Sequence, residues 1–237
     1  MKVRVPAVSR RIGGRKAALE SGILASRNKF WRPADLPGSR SAVQHLLADL
    51  VRRGELRHIR KGLYWRGVLT PLGMSPPSPD ALVRELVGSS GVGPAGLSAA
   101  NALRLSTQVP RRAHVAVPER APSGSGPVVF VSREARKGRA KEKLNAQEVA
   151  VLEVLDGWDR IIEMPLPEAW NRLVELMRNE SVRPEKLARA SATEPGPVRA
   201  KLQRLMADAD FTRLADSMPA PDPRKVRALQ SALYGAQ

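Results

Sequence analysis

Cysteine is absent from the chain, which excludes disulfides and thiolate metal sites and fits a reducing compartment. Histidine is scarce. His45, His58 and His114 are scattered; His45 alone has a carboxylate at i+4, Asp49, and one such pair offers too few ligands for a metal site. Aromatic residues make up 4 % of the chain, so a core must rest on Leu, Val, Ala and Ile. No apolar run approaches the ~20 residues that a membrane span needs. The N-terminal segment Met1 to Lys16 is basic but lacks the apolar stretch of a signal peptide. These absences together lead us to expect a soluble, cytoplasmic protein with no membrane partner, no metal and no cofactor. No internal repeat is evident.

Acidic residues are also few in one place. Residues 1–72 hold 16 Lys and Arg against 4 Asp and Glu, whereas residues 73–237 hold 24 against 19. The net charge of +17 is therefore concentrated in the first third. A concentrated basic field attracts polyanions, and nucleic acid is the first partner to consider.

Within that third, Pro37-Gly38-Ser39 reads as a turn and a helix start, with Ser39 as N-cap. Val43, Leu46, Leu47, Leu50 and Val51 follow i, i+3, i+4, i+7, i+8, one apolar face of a helix. Arg40, Ser41, Gln44 and His45 fall on the other face. Gly54 suits a left-handed cap, with Arg52 and Arg53 at the negative end of the helix. Leu56 to Ile59 and Leu63 to Arg66 then read as strands around a three-residue loop, Arg60-Lys61-Gly62, with room for a bulge. Upstream, Arg11 to Leu24 supports a helix and Arg32 to Leu36 a short second one. Helix, short helix, capped helix, hairpin is the order of a winged helix-turn-helix. In that fold the third helix enters the major groove with its N-terminal residues on base edges. Ser39, Arg40, Ser41, Gln44 and His45 are the expected readers, since Arg and Gln pair bidentately with guanine and adenine. Arg57, Arg60 and Lys61 on the wing would meet phosphate or a minor groove of double-stranded DNA.

Pro71 to Pro79 reads as a linker, dividing a DNA-binding domain, 1–72, from a larger, helix-rich α+β domain, 73–237. The fold class expected for the whole is mainly α with small β elements. In the second domain, Pro79 to Val87 and Leu97 to Leu103 read as helices. Ala113 to Val117 and Val128 to Val131 read as strands of a hairpin joined by Pro122-Ser123-Gly124-Ser125-Gly126-Pro127. No helix or Lys-Ser/Thr follows that loop, so its glycines do not make a phosphate cradle. Arg133, Arg136, Lys137, Arg139, Lys141 and Lys143 form a basic run, either a solvated connection or a contact for a polyanion or protein partner. From Asn145 onward successive amphipathic faces point to helices, separated by prolines at 165, 184, 195–197 and 219–223.

Catalysis has little to rest on. No Ser sits in a G-x-S-x-G elbow, and neither Glu-x-Lys nor Asp-x-Lys, the usual end of a metal-dependent nuclease motif, occurs. The pairs Asp156/Asp159 and Asp208/Asp210 read as residues at helix ends. No catalytic residue is assigned and an enzyme is not expected.

Two stretches resemble the AbiEi-type antitoxins. Leu47-x-x-Leu50-x-x-x-Gly54-x-Leu56-x₅-Gly62-x-Tyr64 is similar to their winged-helix region. Ala99-Ala100-Asn101-x-Leu103-x-Leu105-x-Thr107-Gln108-x-Pro110 is similar to the start of their C-terminal domain. The two cover roughly the first half of the chain. Members of that family often carry Gly where Arg104 stands. The resemblance implies an antitoxin that binds repeats in its own promoter, represses its operon, and counteracts a cognate AbiEii-type nucleotidyltransferase toxin through its C-terminal domain. The basic run would then be the candidate toxin contact. The alternative is a free-standing winged-helix transcriptional regulator whose C-terminal domain senses a ligand or dimerises. A third reading is a DNA-processing enzyme that uses the winged helix for targeting.

Overall fold

The computed structural model describes residues 8–122, 126–179 and 182–219. They form a mainly helical protein with small sheets, divided into two compact units, Met1–Glu85 and Leu86–Gln237. No helix among the described residues is long and apolar enough to cross a membrane.

The first unit begins with helix α1, Val8–Ala25, followed by strand β1, Lys29–Trp31, and a single 3-10 turn, Pro33–Asp35. Helix α2, Arg40–Arg52, follows the sequence signals closely. The Ser39 hydroxyl accepts the Ala42 N–H at 3.3 Å, one of the first-turn donors that no helical carbonyl can reach. At the other end the N–H of Glu55 bonds Leu50 O and that of Gly54 bonds Val51 O. Those two bonds define a Schellman cap, and Gly54 sits at its left-handed position with φ 73°. Val43, Leu46, Leu47 and Leu50 are buried, and they pack with Ile23, Leu36 and Leu56 into the core of this unit. Each such side chain contributes about 1.5–3 kcal/mol by leaving water.

Strands β2, Arg57–Arg60, and β3, Leu63–Arg66, form an antiparallel hairpin. Arg60 pairs with Leu63, so the loop is the two residues Lys61-Gly62 and not three. The register shifts between His58 and Arg60; this bulge absorbs the irregular spacing of Leu56 and Ile59. β1 pairs antiparallel with β3, giving the order β1-β3-β2. That third strand was not foreseen, because three residues are too few to show a period.

The Pro71 segment is not a linker. Strands β4, Leu69–Thr70, and β5, Gly73–Met74, make a small hairpin turned by Pro71-Leu72. It is tied back to the first sheet: Trp65 Nε1 donates to Ser75 O at 2.9 Å, and Val68 N to Ser75 Oγ at 2.8 Å. Helix α3, Pro79–Val87, continues the tie through an ion pair between Arg32 and Glu85. The division between the units therefore falls after Glu85, not after residue 72.

The second unit carries β6, Gly93–Pro94, helix α4, Leu97–Ala102, and strands β7, Ala113–Val117, and β8, Val128–Ser132. β6 is antiparallel to β7, but β7 and β8 run parallel, Ala113 opposite Val128 and Val117 opposite Ser132. The expected hairpin is thus a crossover. The ten residues between the strands can extend over ~33 Å, enough to return the ~17 Å length of β7; residues 123–125 of this segment lie outside the described ones. Short helix α5, Gly138–Lys141, precedes α6, Ala146–Ile161. α6 starts in a capping box of Asn145 and Glu148 and is buried on nearly every side from Glu148 to Leu155. Around it pack α7, Leu166–Met177, α8, Pro184–Ala190, a 3-10 turn, Ser191–Thr193, α9, Gly196–Asp208, and α10, Thr212–Ser217. The proline cluster at 219–223 lies, apart from Pro219, outside the described residues.

Candidate nucleic-acid interface

Eight cations of the first unit sort into two groups. Arg32 pairs with Glu85, Arg52 with Asp49, Arg53 with Glu20, and Arg66 with Glu55. Arg40 at the start of α2, Arg57 and Arg60 on β2 and Lys61 in the turn are all exposed. None of these four has an ion-pair partner among the described residues. Two elements set this division. The apolar face of α2 is turned into the core, so Arg40, Ser41, Gln44 and His45 stand together on its exposed side. The bulged hairpin presents Arg57, Arg60 and Lys61 along β2 and its turn. None of these seven side chains has a hydrogen bond or ion pair among the described residues, so each can turn to a ligand. Ser39 differs, because its hydroxyl is engaged as the cap of α2.

Three rings on the sheet escaped the sequence reading. His58 lies 5.3 Å from Tyr64, centroid to centroid. Lys29 sits 4.1 Å above the Trp31 ring, a cation–π contact. His58 is exposed beside Arg57. Only the pairing of His58 with Tyr64 across β2 and β3 brings the two rings together, and that register depends on a bulge.

The basic run of the second unit is a correction. Arg139 is fully buried and Arg136 nearly so. Arg139 donates to Glu194 at 2.6 and 2.9 Å and to Glu153 at 2.7 Å. Arg133 grips Glu153 with two bonds, at 2.8 and 2.7 Å, and Arg136 reaches Asp156 at 2.7 Å. Burial alone would lower the Arg139 pKa, but Glu194 and Glu153 outweigh it and hold the guanidinium charged above its ordinary value. Burial alone would likewise raise the Glu153 pKa, yet the bonds from Arg133 and the charge of Arg139 bring it below the usual range. These three arginines are internal struts, and only Lys137, Lys141 and Lys143 remain exposed. The same network corrects Asp156, which lies inside α6 rather than at its end. Asp208 closes α9 and accepts from Trp170 Nε1 at 2.9 Å, and Asp210 pairs with Arg178.

Glu163, just after α6, has no counterpart in the sequence reading. It accepts from Ser106 Oγ at 2.7 Å, Thr107 N at 2.8 Å and Gln108 Nε2. The Ser106 hydroxyl first, and then the Thr107 amide and Gln108, hold its carboxyl down at about 2. This clamp shapes the loop that ends the Ala99 to Pro110 stretch. No group of three or more His, Asp or Glu side chains able to hold a metal occurs among the described residues.

No protein-family model matches the chain, and no curated protein matches it. Among solved structures it is similar to the crystal structure of the RV2827C protein from Mycobacterium tuberculosis. The identity is 18 % and the TM-score 0.51, over 93 % of this chain and 85 % of that one. At that identity the likeness is one of fold.

Proposed function

We propose that the protein is a DNA-binding antitoxin of an AbiE-like toxin–antitoxin system, which represses its own operon and counteracts a nucleotidyltransferase toxin. The observation that carries the DNA-binding half is the sorting of cations just described. Arg32, Arg52, Arg53 and Arg66 are spent on Glu85, Asp49, Glu20 and Glu55, while Arg40, Arg57, Arg60 and Lys61, on the exposed side of α2 and on the hairpin, are left for a ligand. The element order supports a winged helix-turn-helix: α1, β1, a 3-10 turn, the capped α2, then the β2–β3 wing closed by β1. In this reading α2 is the recognition helix, with Arg40, Ser41, Gln44 and His45 on base edges and Arg57, Arg60 and Lys61 on the backbone.

The antitoxin half rests on the resemblance over Leu47 to Tyr64 and Ala99 to Pro110. Arg104 departs from that pattern, but its φ of 58° is one that glycine adopts freely. A glycine there would make the same kind of turn, so the departure does not weaken the resemblance.

The test is binding of the purified chain to duplex from upstream of its own gene and to random duplex, between 50 and 200 mM salt. Each phosphate neutralised should add about −0.9 to the slope of log affinity against log salt. Arg60→Ala with Lys61→Ala should weaken binding to both duplexes and flatten the slope by roughly two such units. An affinity independent of salt would sink the proposal.

A further inference from the structure

The second unit holds a polar recess of about 480 Å³ between the end of α4, the first turn of α6 and the outer side of α7. Leu103 and Leu173, both buried, lie in its lining. Its polar groups are Arg104, Arg172, Gln147, Glu175 and Asn179. Three features set it apart from the paired charges elsewhere in this unit.

The Arg104 side chain has no hydrogen-bond or ion-pair partner among the described residues. The residue occupies the left-handed position of a Schellman cap, since Leu105 N bonds Ala100 O and Arg104 N bonds Asn101 O. Arg172 spends only its Nε, on Leu103 O at 2.9 Å. That bond holds its guanidinium at the recess and leaves the terminal nitrogens without a hydrogen-bond partner among the described residues. Gln147 stands at the second position of α6, next to the Asn145–Glu148 capping box, and adds a neutral amide to the lining.

We propose that this recess binds a nucleotide, with its phosphate on Arg104 and Arg172. Two guanidinium groups in one recess suit a phosphate, which accepts bidentate bonds from arginine. Glu175 narrows the class. Its carboxylate has no ion-pair partner among the described residues, and it would repel a ligand that is anionic throughout. It suits one with hydrogen-bond donors beside the phosphate, as ribose hydroxyls and base amines provide. The volume lies in the range of small-molecule sites. The recess belongs to the second unit alone, so this inference stands apart from DNA binding by the first.

The experiment is calorimetric titration of the full chain at low salt in a phosphate-free buffer. The probes are AMP, ATP, adenosine and inorganic phosphate. AMP should bind at one site per chain, inorganic phosphate at least tenfold more weakly, and adenosine not measurably. Arg104→Ala should weaken AMP at least tenfold with the melting temperature unchanged, and Glu175→Gln should narrow the gap between AMP and inorganic phosphate. Arg57→Ala with Arg60→Ala and Lys61→Ala should leave AMP binding as it is. Equal loss in that triple variant would mean general attraction to a basic protein and would overturn the proposal. So would AMP binding unaffected by Arg104→Ala, adenosine binding as well as AMP, or no binding by AMP or ATP.

Discussion

Arg139 is a fully buried charge, and it shows what a linear reading of charge leaves out. Six cations within eleven residues look like a surface run. Their partners lie far off in sequence, Glu153 at 14 residues from Arg139 and Glu194 at 55, so nothing local marks three of them as internal. A buried ion pair adds little over a hydrophobic replacement of both partners, but removing one partner strands the other charge. Glu194→Gln should therefore cost about 3–5 kcal/mol, measured by urea denaturation; a loss below 1 kcal/mol would mean that water or rearrangement satisfies Arg139. Glu163 offers a pH test. Its folded pKa lies below the unfolded value, so the stability it contributes is present above about 4.5 and is lost as pH falls towards 2. The difference in melting temperature between the native chain and Glu163→Gln should hold constant above pH 5 and shrink steadily below it. A difference that persists at pH 2 would rule out the clamp.

At the scale of elements, legibility followed the length of the period. α2 was readable from cap to cap because four buried positions, Ser39 and Gly54 all point to the same boundaries. The two five-residue strands of the second unit were readable as strands, but not as a parallel pair. Pairing direction depends on the path of the chain between them, and a loop rich in Pro, Gly and Ser suits a tight turn as well as a crossover. β1 and β6 were too short to register. β6 nevertheless governs packing, for it lies against α6, and a Cβ at Gly93 would stand 2.7 Å from both Ala146 O and Val149 Cβ. Gly93→Ala should cost about 1–3 kcal/mol through forced displacement, and an unchanged melting curve would show that β6 can withdraw. For α2, the proposed role in base readout predicts that Gln44→Ala costs about 1–3 kcal/mol at one base position and leaves random-duplex binding nearly intact. Equal weakening on both duplexes would show that the exposed side of α2 is not the reading surface.

The whole molecule is a pair of units whose charges are used differently. In the first, Arg40 on α2 and the arginines of β2 are exposed with no ion pair among the described residues; in the second, arginines are drawn inward to hold β8, α5, α6 and the 3-10 turn together. The sequence pointed to this contrast through its excess of charge in residues 1–72, but it placed the boundary at a proline segment that is in fact a hairpin. A fragment ending at residue 72 would lose Ser75, the acceptor for Trp65 Nε1 and the partner of Val68. A fragment ending at Gly88, just past α3, keeps both and the Arg32–Glu85 pair. Residues 1–88 should therefore melt cooperatively and bind promoter duplex, whereas 1–72 should be less stable and bind more weakly. On the proposed function, residues 86–237 carry neutralisation, and the exposed Lys137, Lys141 and Lys143 replace the whole basic run as the candidate contact. Co-expression of each fragment with the neighbouring toxin gene, scored by growth, tests the division. Rescue by 86–237 and its loss when those three lysines are reversed to Glu, with the circular dichroism spectrum unchanged, is the expected pattern. Reversing Arg139 instead should unfold the unit, so its loss of rescue would carry no information on contact. Rescue by 1–88 with none from a folded 86–237 would assign neutralisation to the DNA-binding unit and overturn the division.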